Sequence, residues 1–161
     1  MNIVAALRPK VRSKSLASLA LAVCLAGLTL AACQRSPSGP EIVISEAWGQ
    51  PLPASAANGA IYMQIRNRGD QPDTLLSASS PVCSALELHE TEQEGDIASM
   101  HLAHTSLPIP AGQVVELKPA GLHLMCVDKQ ADFRQGAAIP LSLEFEKSGA
   151  IALEASIRLP P

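Results

Sequence analysis

The sequence predicts an all-β fold, which we expect to be a single Greek-key β-sandwich spanning residues 41–161. Two observations carry this prediction. After residue 40 the chain is a series of short runs in which apolar and polar residues alternate, and turn-forming residues separate these runs. No stretch after residue 40 shows a long apolar repeat of 3.6 residues flanked by helix caps. Short, evenly spaced runs of this kind are typical of a β-sandwich or a small barrel, and of these we expect the sandwich.

The predicted strands follow one another along the chain at short intervals. The alternation is clearest near the C-terminus, where polar residues separate Leu141, Leu143 and Phe145. The runs that we interpret as strands are 42–48, 60–67, 74–78, 85–90, 97–102, 113–118, 122–127, 140–147 and 150–159. Segments rich in turn-forming residues lie between several of them, at 68–70, 94–96, 110–112 and 119–121. Because aromatic residues are few, we expect a core of Leu, Ile, Val and Ala.

The first 32 residues predict a lipoprotein signal peptide. A segment with four basic and no acidic residues precedes an apolar run at 16–30, which is short for a membrane-spanning helix. The run ends in Leu-Ala-Ala-Cys, so we expect cleavage before Cys33 and attachment of lipid to its sulfur. Residues 33–40 would then be the lipidated end and a polar tether. The expected location is the periplasm, on a bacterial membrane, and Gln34 favours the outer membrane.

The charge of the chain argues against two classes of partner. The sequence has 12 basic and 15 acidic residues, and loss of the four leader bases leaves eight against 15, a net charge of −7. An acidic domain without a basic patch does not suit nucleic acid or the surface of an anionic membrane. We therefore expect no nucleic acid partner, and contact with a membrane through the lipid anchor.

Side chains that could bind a metal ion are concentrated in one part of the chain. All four histidines fall within a window of 35 residues. Ten residues separate His89 from Met100, and 22 residues separate Met100 from the segment His123-Leu124-Met125. His123 and Met125 are two positions apart on a predicted strand, so their side chains point to the same face. This spacing suits two ligands of one ion.

The donor set favours copper in its reduced form. Thioether sulfur is soft and has no proton to lose, so it suits Cu(I), whereas Zn²⁺ prefers thiolate, imidazole and carboxylate ligands. In an oxidising compartment two thiols tend to form a disulfide, but methionine keeps its donor sulfur. We therefore predict a copper site with four ligands, His89, Met100, His123 and Met125. The neutral imidazoles would also allow partial binding of Cu(II).

The spacing of these residues resembles the periplasmic copper chaperones of the PCu(A)C type, whose motif is His, about ten residues, Met, about 21 residues, and His-x-Met. Similar segments occur in the same order at 58–62, 66–70, 79–82, 87–90, 109–112, 116–119, 121–125 and 143–147. The resemblance covers about residues 42–157. It implies a cupredoxin-like sandwich that binds one Cu(I) at the four residues above, near an exposed edge. It also implies delivery toward the Cu(A) centre of cytochrome c oxidase or to its assembly factors.

The chain departs from the family pattern at the second gap and at the anchor. The gap between Met100 and His123 is one residue longer than usual. His101 and His104 lie beside Met100, and either could supplement the site or bind Cu(II) together with oxygen ligands. A lipid anchor is also unlike the family's commonly soluble members, so the acceptor could differ.

The two cysteines of the domain, Cys83 and Cys126, leave two interpretations open. They could form a disulfide or remain free thiols. A disulfide would join the strand before His89 to the strand of Met125 and stiffen the metal site. A blue-copper centre is disfavoured, because it needs a thiolate before its last histidine and methionine, whereas Cys126 follows Met125 on the other face of the strand.

Enzyme motifs are absent from the sequence. It contains no HExxH, no G-x-S-x-G and no glycine-rich phosphate loop, so we expect a protein that is not an enzyme and has no catalytic residues. Two other interpretations stay open. One is a copper storage or resistance lipoprotein with the same site but no delivery partner, and the other is a structural lipoprotein that binds no metal.

Overall fold

The computed structural model describes residues 38–160 apart from 95, 96 and 104, and it leaves the side chains of 93–98 undescribed. The predicted signal peptide, Cys33 and Gln34, and the tether up to residue 37 therefore lie outside the described residues. His104 and part of the predicted turn at 94–96 do as well. In the part of the chain that is described, no helix has the length and hydrophobicity needed to cross a membrane.

Ten strands make up the described domain, and this confirms the all-β prediction. They are β1 (Ile42–Gly49), β2 (Gly59–Asn67), β3 (Asp73–Ser79), β4 (Cys83–Glu94), β5 (Ile97–Leu102), β6 (Leu107–Ile109), β7 (Val114–Leu117), β8 (Leu122–Lys129), β9 (Ala138–Phe145) and β10 (Gly149–Ile157). The sequence did not reveal β6, because three residues are too few to show alternation. Its central Pro108 has no backbone N–H to donate, which fits a strand at the end of the described sheet.

The strands form one sheet that closes on itself. Hydrogen-bonded neighbours follow the order β5-β4-β8-β2-β1-β10-β9-β3-β6, and β7 pairs with β2. An additional pairing of β3 with β4, at Ala78 and Leu86, closes the sheet. The pairings are antiparallel except between β1 and β10. Since β3 meets β4 at a single residue pair, the outer half of β4 is free to pair with β5 and extend the sheet beyond the closed part.

The core lies inside this closed sheet and consists mainly of aliphatic side chains. Alternate residues of β2 are fully or almost fully buried, namely Ile61, Met63 and Ile65. Leu124 of β8 and Leu143 of β9 lie in the same cluster. The aliphatic prediction holds for most of the core, but two phenylalanines, Phe133 and Phe145, are its largest fully buried side chains.

Candidate metal site

His89 and His123 lie directly opposite each other on the adjacent strands β4 and β8. Their ring centroids are 6.0 Å apart. The neighbouring pair on the same two strands is Leu88 and Leu124, and Leu124 points into the core. Successive side chains of a strand alternate between faces, so both imidazoles lie on the outer face of the closed sheet.

Met125 and Met100 are diagonal neighbours of His89 on that outer face. Met125 follows His123 by two residues, and Met100 lies opposite Thr91, two residues after His89. Cross-strand diagonals span about 7–8 Å, which long side chains can bridge. The exposed fraction is 9% for Met125 and 52% for Met100. The structure thus brings all four predicted ligands to one patch, with His123 and Met125 buried and Met100 open to solvent.

A β-bulge in β1 supplies an aromatic wall on one side of this patch. The register between β1 and β2 shifts between Ser45 and Trp48, and Glu46 adopts a positive φ of 53°. Without the extra residue Trp48 would share the core-facing side of Ile44; with it, Trp48 pairs with Tyr62 on the outer face. Their rings are 4.8 Å apart between centroids. The bulge therefore redirects the single tryptophan toward the candidate site.

Tyr62 connects that wall to His123. The centroids of the Tyr62 and His123 rings are 6.2 Å apart, so His123 is flanked by Tyr62 on one side and by His89 on the other. This enclosure leaves His123 only 2% exposed although it lies on the outer face. Burial raises the pKa of Tyr62, because the charged phenolate would be poorly solvated there. The rings of His89, His123, Tyr62 and Trp48 thus follow one another across the patch. The guanidinium of Arg158 lies 5.1 Å above the ring of Trp48, at the end farthest from His89.

The hydrogen bond of His123 fixes which ring nitrogen is free. Its Nδ1 lies 2.9 Å from the carbonyl oxygen of Gly121. A carbonyl can only accept, so Nδ1 carries the proton and donates it, and Nε2 keeps a lone pair. That Nε2 atom is buried and has no hydrogen-bond partner within the described part of the chain.

The ring of His89 also has one bonded and one unpartnered nitrogen. Its Nε2 lies 2.9 Å from Oε2 of Glu87, and its Nδ1 is buried without a partner among the described residues. Buried polar atoms are almost always paired, because an unmet hydrogen bond costs roughly 1–3 kcal/mol. Two such nitrogens on adjacent imidazoles beside a buried thioether are atoms that a soft metal ion would satisfy. The residues present therefore fit a metal ligand set.

A disulfide joins the two strands that carry the histidines. Cys83, the first residue of β4, is bonded to Cys126 of β8, with their Cα atoms 5.3 Å apart. Cys126 is fully buried and points to the face opposite Met125. Its sulfur is therefore occupied and on the wrong side of the strand for a blue-copper ligand.

His101 lies away from the four-residue patch. It pairs with Glu90, so it shares the opposite face of the β4–β5 hairpin from Met100. One of its ring nitrogens lies within 4.8 Å of a carboxylate oxygen of Glu90 and of one of Glu92. His101 is thus separated from the predicted site by the thickness of the hairpin.

Sequence reasoning missed three side chains that line the patch: Glu87, Tyr62 and Trp48. A signal was available for Glu87, because it precedes His89 by two positions and so shares its face, the rule already applied to His123 and Met125. The scarcity of aromatic residues could also have drawn attention to Tyr62. No local sequence pattern indicates the bulge that moves Trp48, because the bulge depends on the pairing of β1 with β2.

Comparison with known proteins identifies relatives of this chain. The family model "Putative lipoprotein LpqE-like" matches residues 42–157. "Putative lipoprotein Lxx21020" of Leifsonia xyli subsp. xyli is 27% identical over 136 residues, which are 83% of this chain and 81% of that protein.

Two solved structures share the architecture. The copper-bound PCuAC domain from PmoF2 has a TM-score of 0.63 and 24% identity, and the match covers 74% of this chain and 93% of that one. The solution structure of CuI-DR1885 from Deinococcus radiodurans has a TM-score of 0.58 and 24% identity, covering 83% and 85%. These likenesses confirm the resemblance to the PCu(A)C type and the cupredoxin-like fold expected from it. With more than half of its length matched, the chain belongs to the LpqE-like family.

Proposed function

We propose that this protein is a membrane-anchored copper chaperone that binds one Cu(I) through His89, Met100, His123 and Met125 and delivers it to an acceptor. The observation that carries the proposal is the pair of adjacent imidazoles, each with one buried ring nitrogen that has no partner in the described structure. A bound ion would coordinate both of these nitrogens and so satisfy their lone pairs at once. It would also explain why two histidines lie side by side in a largely buried patch.

The donor atoms select copper among the common metal ions. Two imidazole nitrogens and two thioether sulfurs form a soft set without a carboxylate or a thiolate, which suits Cu(I) better than zinc or a hard cation. The names of two structurally similar proteins support the same ion, since one is a copper-bound PCuAC domain and the other is a Cu(I) form of DR1885. When bound, the ion would be cargo, and the fold would present it in reduced form.

The exposed methionine supports transfer. Met100 is the one predicted ligand with more than half of its surface exposed, so an acceptor's ligand could replace its sulfur first. Leu102, two residues further along β5, is 58% exposed. It also borders an apolar groove of about 250 Å³ that Leu76, Leu86 and Leu88 line. An acceptor that approaches Met100 would find apolar contact area there, and by resemblance that acceptor is the Cu(A) centre of cytochrome c oxidase or an assembly factor.

Family membership supports the membrane anchor. The family and the Leifsonia relative are both named as lipoproteins. Lipid at Cys33 would hold the domain at the end of a short tether on the periplasmic side, with the outer membrane favoured by Gln34. Anchoring would confine copper transfer to acceptors near that membrane.

The decisive experiment is an anaerobic Cu(I) titration of the chain from residue 34 to 161 against a chromophoric chelator. We expect one tight equivalent in the wild type and at least a hundredfold weaker binding in the Met100→Leu/Met125→Leu double variant. Met63→Leu is the matched control, because Met63 is buried in the core and should bind no copper. Absence of binding by the wild type, or equal binding by the double variant, would refute the proposed site.

A transfer assay then separates a chaperone from a storage protein. The loaded wild-type protein is mixed with the apo form of a soluble Cu(A) domain, and copper is followed in both after separation. Transfer of copper at a higher rate than release of the free ion would allow supports direct delivery to the acceptor. Retention of copper by a protein that binds it tightly would favour the storage interpretation.

A further inference from the structure

Glu87 is placed to control how His89 presents its lone pair. It precedes His89 by two residues on β4, and its partner across the strands is Met125 of β8. Its side chain therefore lies on the same outer face, next to both a predicted nitrogen ligand and a predicted sulfur ligand. The side chains of His89 and Glu87 are 18% and 43% exposed, so water competes only in part for their hydrogen bond.

The contact between them orients the imidazole. Oε2 of Glu87 lies 2.9 Å from Nε2 of His89. A carboxylate accepts a hydrogen bond, so Nε2 carries the proton and the lone pair remains on Nδ1. That Nδ1 is the buried atom without a partner in the described residues. If the ring turned over, Nδ1 would take the carboxylate and Nε2 would become the free atom, so the Glu87 contact decides which nitrogen is available.

His123 presents the opposite nitrogen for an independent reason. Its Nδ1 donates to the carbonyl of Gly121, which leaves Nε2 free. The two adjacent rings are thus held as opposite tautomers by two different acceptors. One acceptor is a backbone carbonyl that substitution cannot remove, and the other is a side chain that can be changed.

We infer that Glu87 is a positioning residue of the metal site, which makes Nδ1 of His89 and Nε2 of His123 the two nitrogen donors. This inference rests on the proposed function as far as copper is concerned. A carboxylate that accepts from a ligand's second nitrogen fixes the ring and makes the ligand more basic. Its negative charge also stabilises Cu(II) more than Cu(I), so Glu87 lowers the reduction potential of the bound ion.

The first test needs no metal. Two-bond ¹⁵N–¹H correlation spectra of the chain from residue 34 to 161, under conditions in which both rings are neutral, report the protonated nitrogen of each histidine. We expect a proton on Nε2 of His89 and on Nδ1 of His123. In Glu87→Ala the hydrogen-bonded Nε2 proton of His89 should lose its downfield shift and exchange faster with water, while the spectrum of His123 stays unchanged. A proton on Nδ1 of His89 in the wild type, or an unaltered His89 signal in the variant, would overturn the inference.

The second test uses Cu(I). The ring nitrogens that shift on loading should be Nδ1 of His89 and Nε2 of His123, and Glu87→Ala should bind Cu(I) about 10–100-fold more weakly. Glu87→Gln keeps an oxygen acceptor without the charge, so its affinity should fall less while the potential of its bound copper rises. Glu116→Ala removes an exposed glutamate of β7 and should change neither quantity.

The two tests distinguish failure of the proposed copper function from failure of the positioning role of Glu87. If the wild type binds no Cu(I), the proposed function fails, and the metal-free spectra still decide whether Glu87 orients His89. If copper binds but shifts Nε2 of His89, or if Glu87→Ala matches the wild type in affinity and potential, the positioning role is refuted while the copper site stands.

Discussion

At the scale of single residues, the buried polar side chains of the described domain separate structural roles from the proposed functional one. They are Asn67, Asp73 and His123. Asn67 accepts hydrogen bonds from the backbone N–H groups of Glu41 and Gly69 and donates to two carbonyls, so its amide is fully satisfied. His123 keeps one nitrogen without a partner in the same structure. A fold that satisfies its asparagine completely but leaves two histidine nitrogens unpaired indicates a ligand for the histidines.

Asp73 is the charged member of this set and ties β3 to the turn after β9. Its carboxylate accepts from the hydroxyl and the N–H of Ser148 at 2.6 and 3.0 Å, and from the N–H groups of Lys147 and Thr74. Burial by itself would raise the pKa of Asp73, but the hydrogen bonds from Ser148, Lys147 and Thr74 together outweigh it and lower the pKa. The ionised carboxylate therefore stabilises the fold above its pKa in the unfolded chain, near 3.9.

We predict that Asp73→Asn lowers the free energy of unfolding by about 2 kcal/mol at neutral pH, because an amide cannot accept all four hydrogen bonds. The wild type loses the contribution of Asp73 as the pH falls through the unfolded and then the folded pKa. The difference between the two proteins should therefore shrink below about pH 4. Urea denaturation at several pH values measures it, and Asp132→Asn is the control because Asp132 is exposed. A pH-independent difference would contradict this explanation.

At the scale of elements, two local features shape the patch that carries the candidate ligands. The bulge in β1 moves Trp48 to the outer face, where it supports Tyr62. The disulfide between Cys83 and Cys126 links β4 with β8, whose pairing sets His89 opposite His123. The register of these two strands is therefore held by backbone hydrogen bonds and by a covalent link.

Removal of that link should cost stability. Cys83 and Cys126 are 43 residues apart in sequence. Closing a loop of that size in the unfolded chain predicts that the Cys83→Ala/Cys126→Ala variant loses about 3–4 kcal/mol of unfolding free energy. Urea denaturation measures the loss, and a Ser84→Ala variant, altered at an exposed neighbour, serves as the control. Unchanged stability of the variant, together with two reactive thiols in the native wild type, would mean that the disulfide does not form.

At the scale of the whole molecule, one closed sheet provides two different surfaces from the same strands. Its inner face is filled mainly with aliphatic side chains, and its outer face carries the four predicted metal ligands on β4, β5 and β8. Three of the predicted ligands thus lie on β4 and β8, whose other face packs in the core, whereas Met100 lies on β5, beyond the closed part of the sheet. Binding an ion there would add to the stability of the domain, because the predicted ligands come together only in the folded chain.

We predict that Cu(I) raises the melting temperature of the wild-type domain. At a free concentration one hundred times the dissociation constant, the added stability is about 2.7 kcal/mol, which corresponds to roughly 10 °C for a domain of this size. Differential scanning calorimetry under anaerobic conditions measures the shift. The Met100→Leu/Met125→Leu variant should show little or none. Identical melting of the wild type with and without copper would favour a structural lipoprotein instead.

Much of the fold follows from local sequence pattern. Alternation predicted nine of the ten described strands, and the bounds of β5 match the expected 97–102. It could not give β6, which is too short to show a period, or the length of β4, whose outer half exists as a strand because β5 pairs with it. The signal peptide and Cys33 lie outside the described residues and stay predictions, as does the ligand set until copper binding is measured.

The sequence by itself determined the all-β class, the apolar faces of the strands and the donor chemistry of His89, Met100, His123 and Met125, because each depends on residue type and on spacing of two along a strand. Only the tertiary structure decided that His89 faces His123, that His101 lies on the other side of the hairpin and that Glu87 contacts His89. These facts depend on the register between strands distant in sequence. That register is fixed by the packing of residues such as Leu124 in the shared core and by the disulfide beside it. A one-residue slip would move every predicted ligand of a strand to the opposite face.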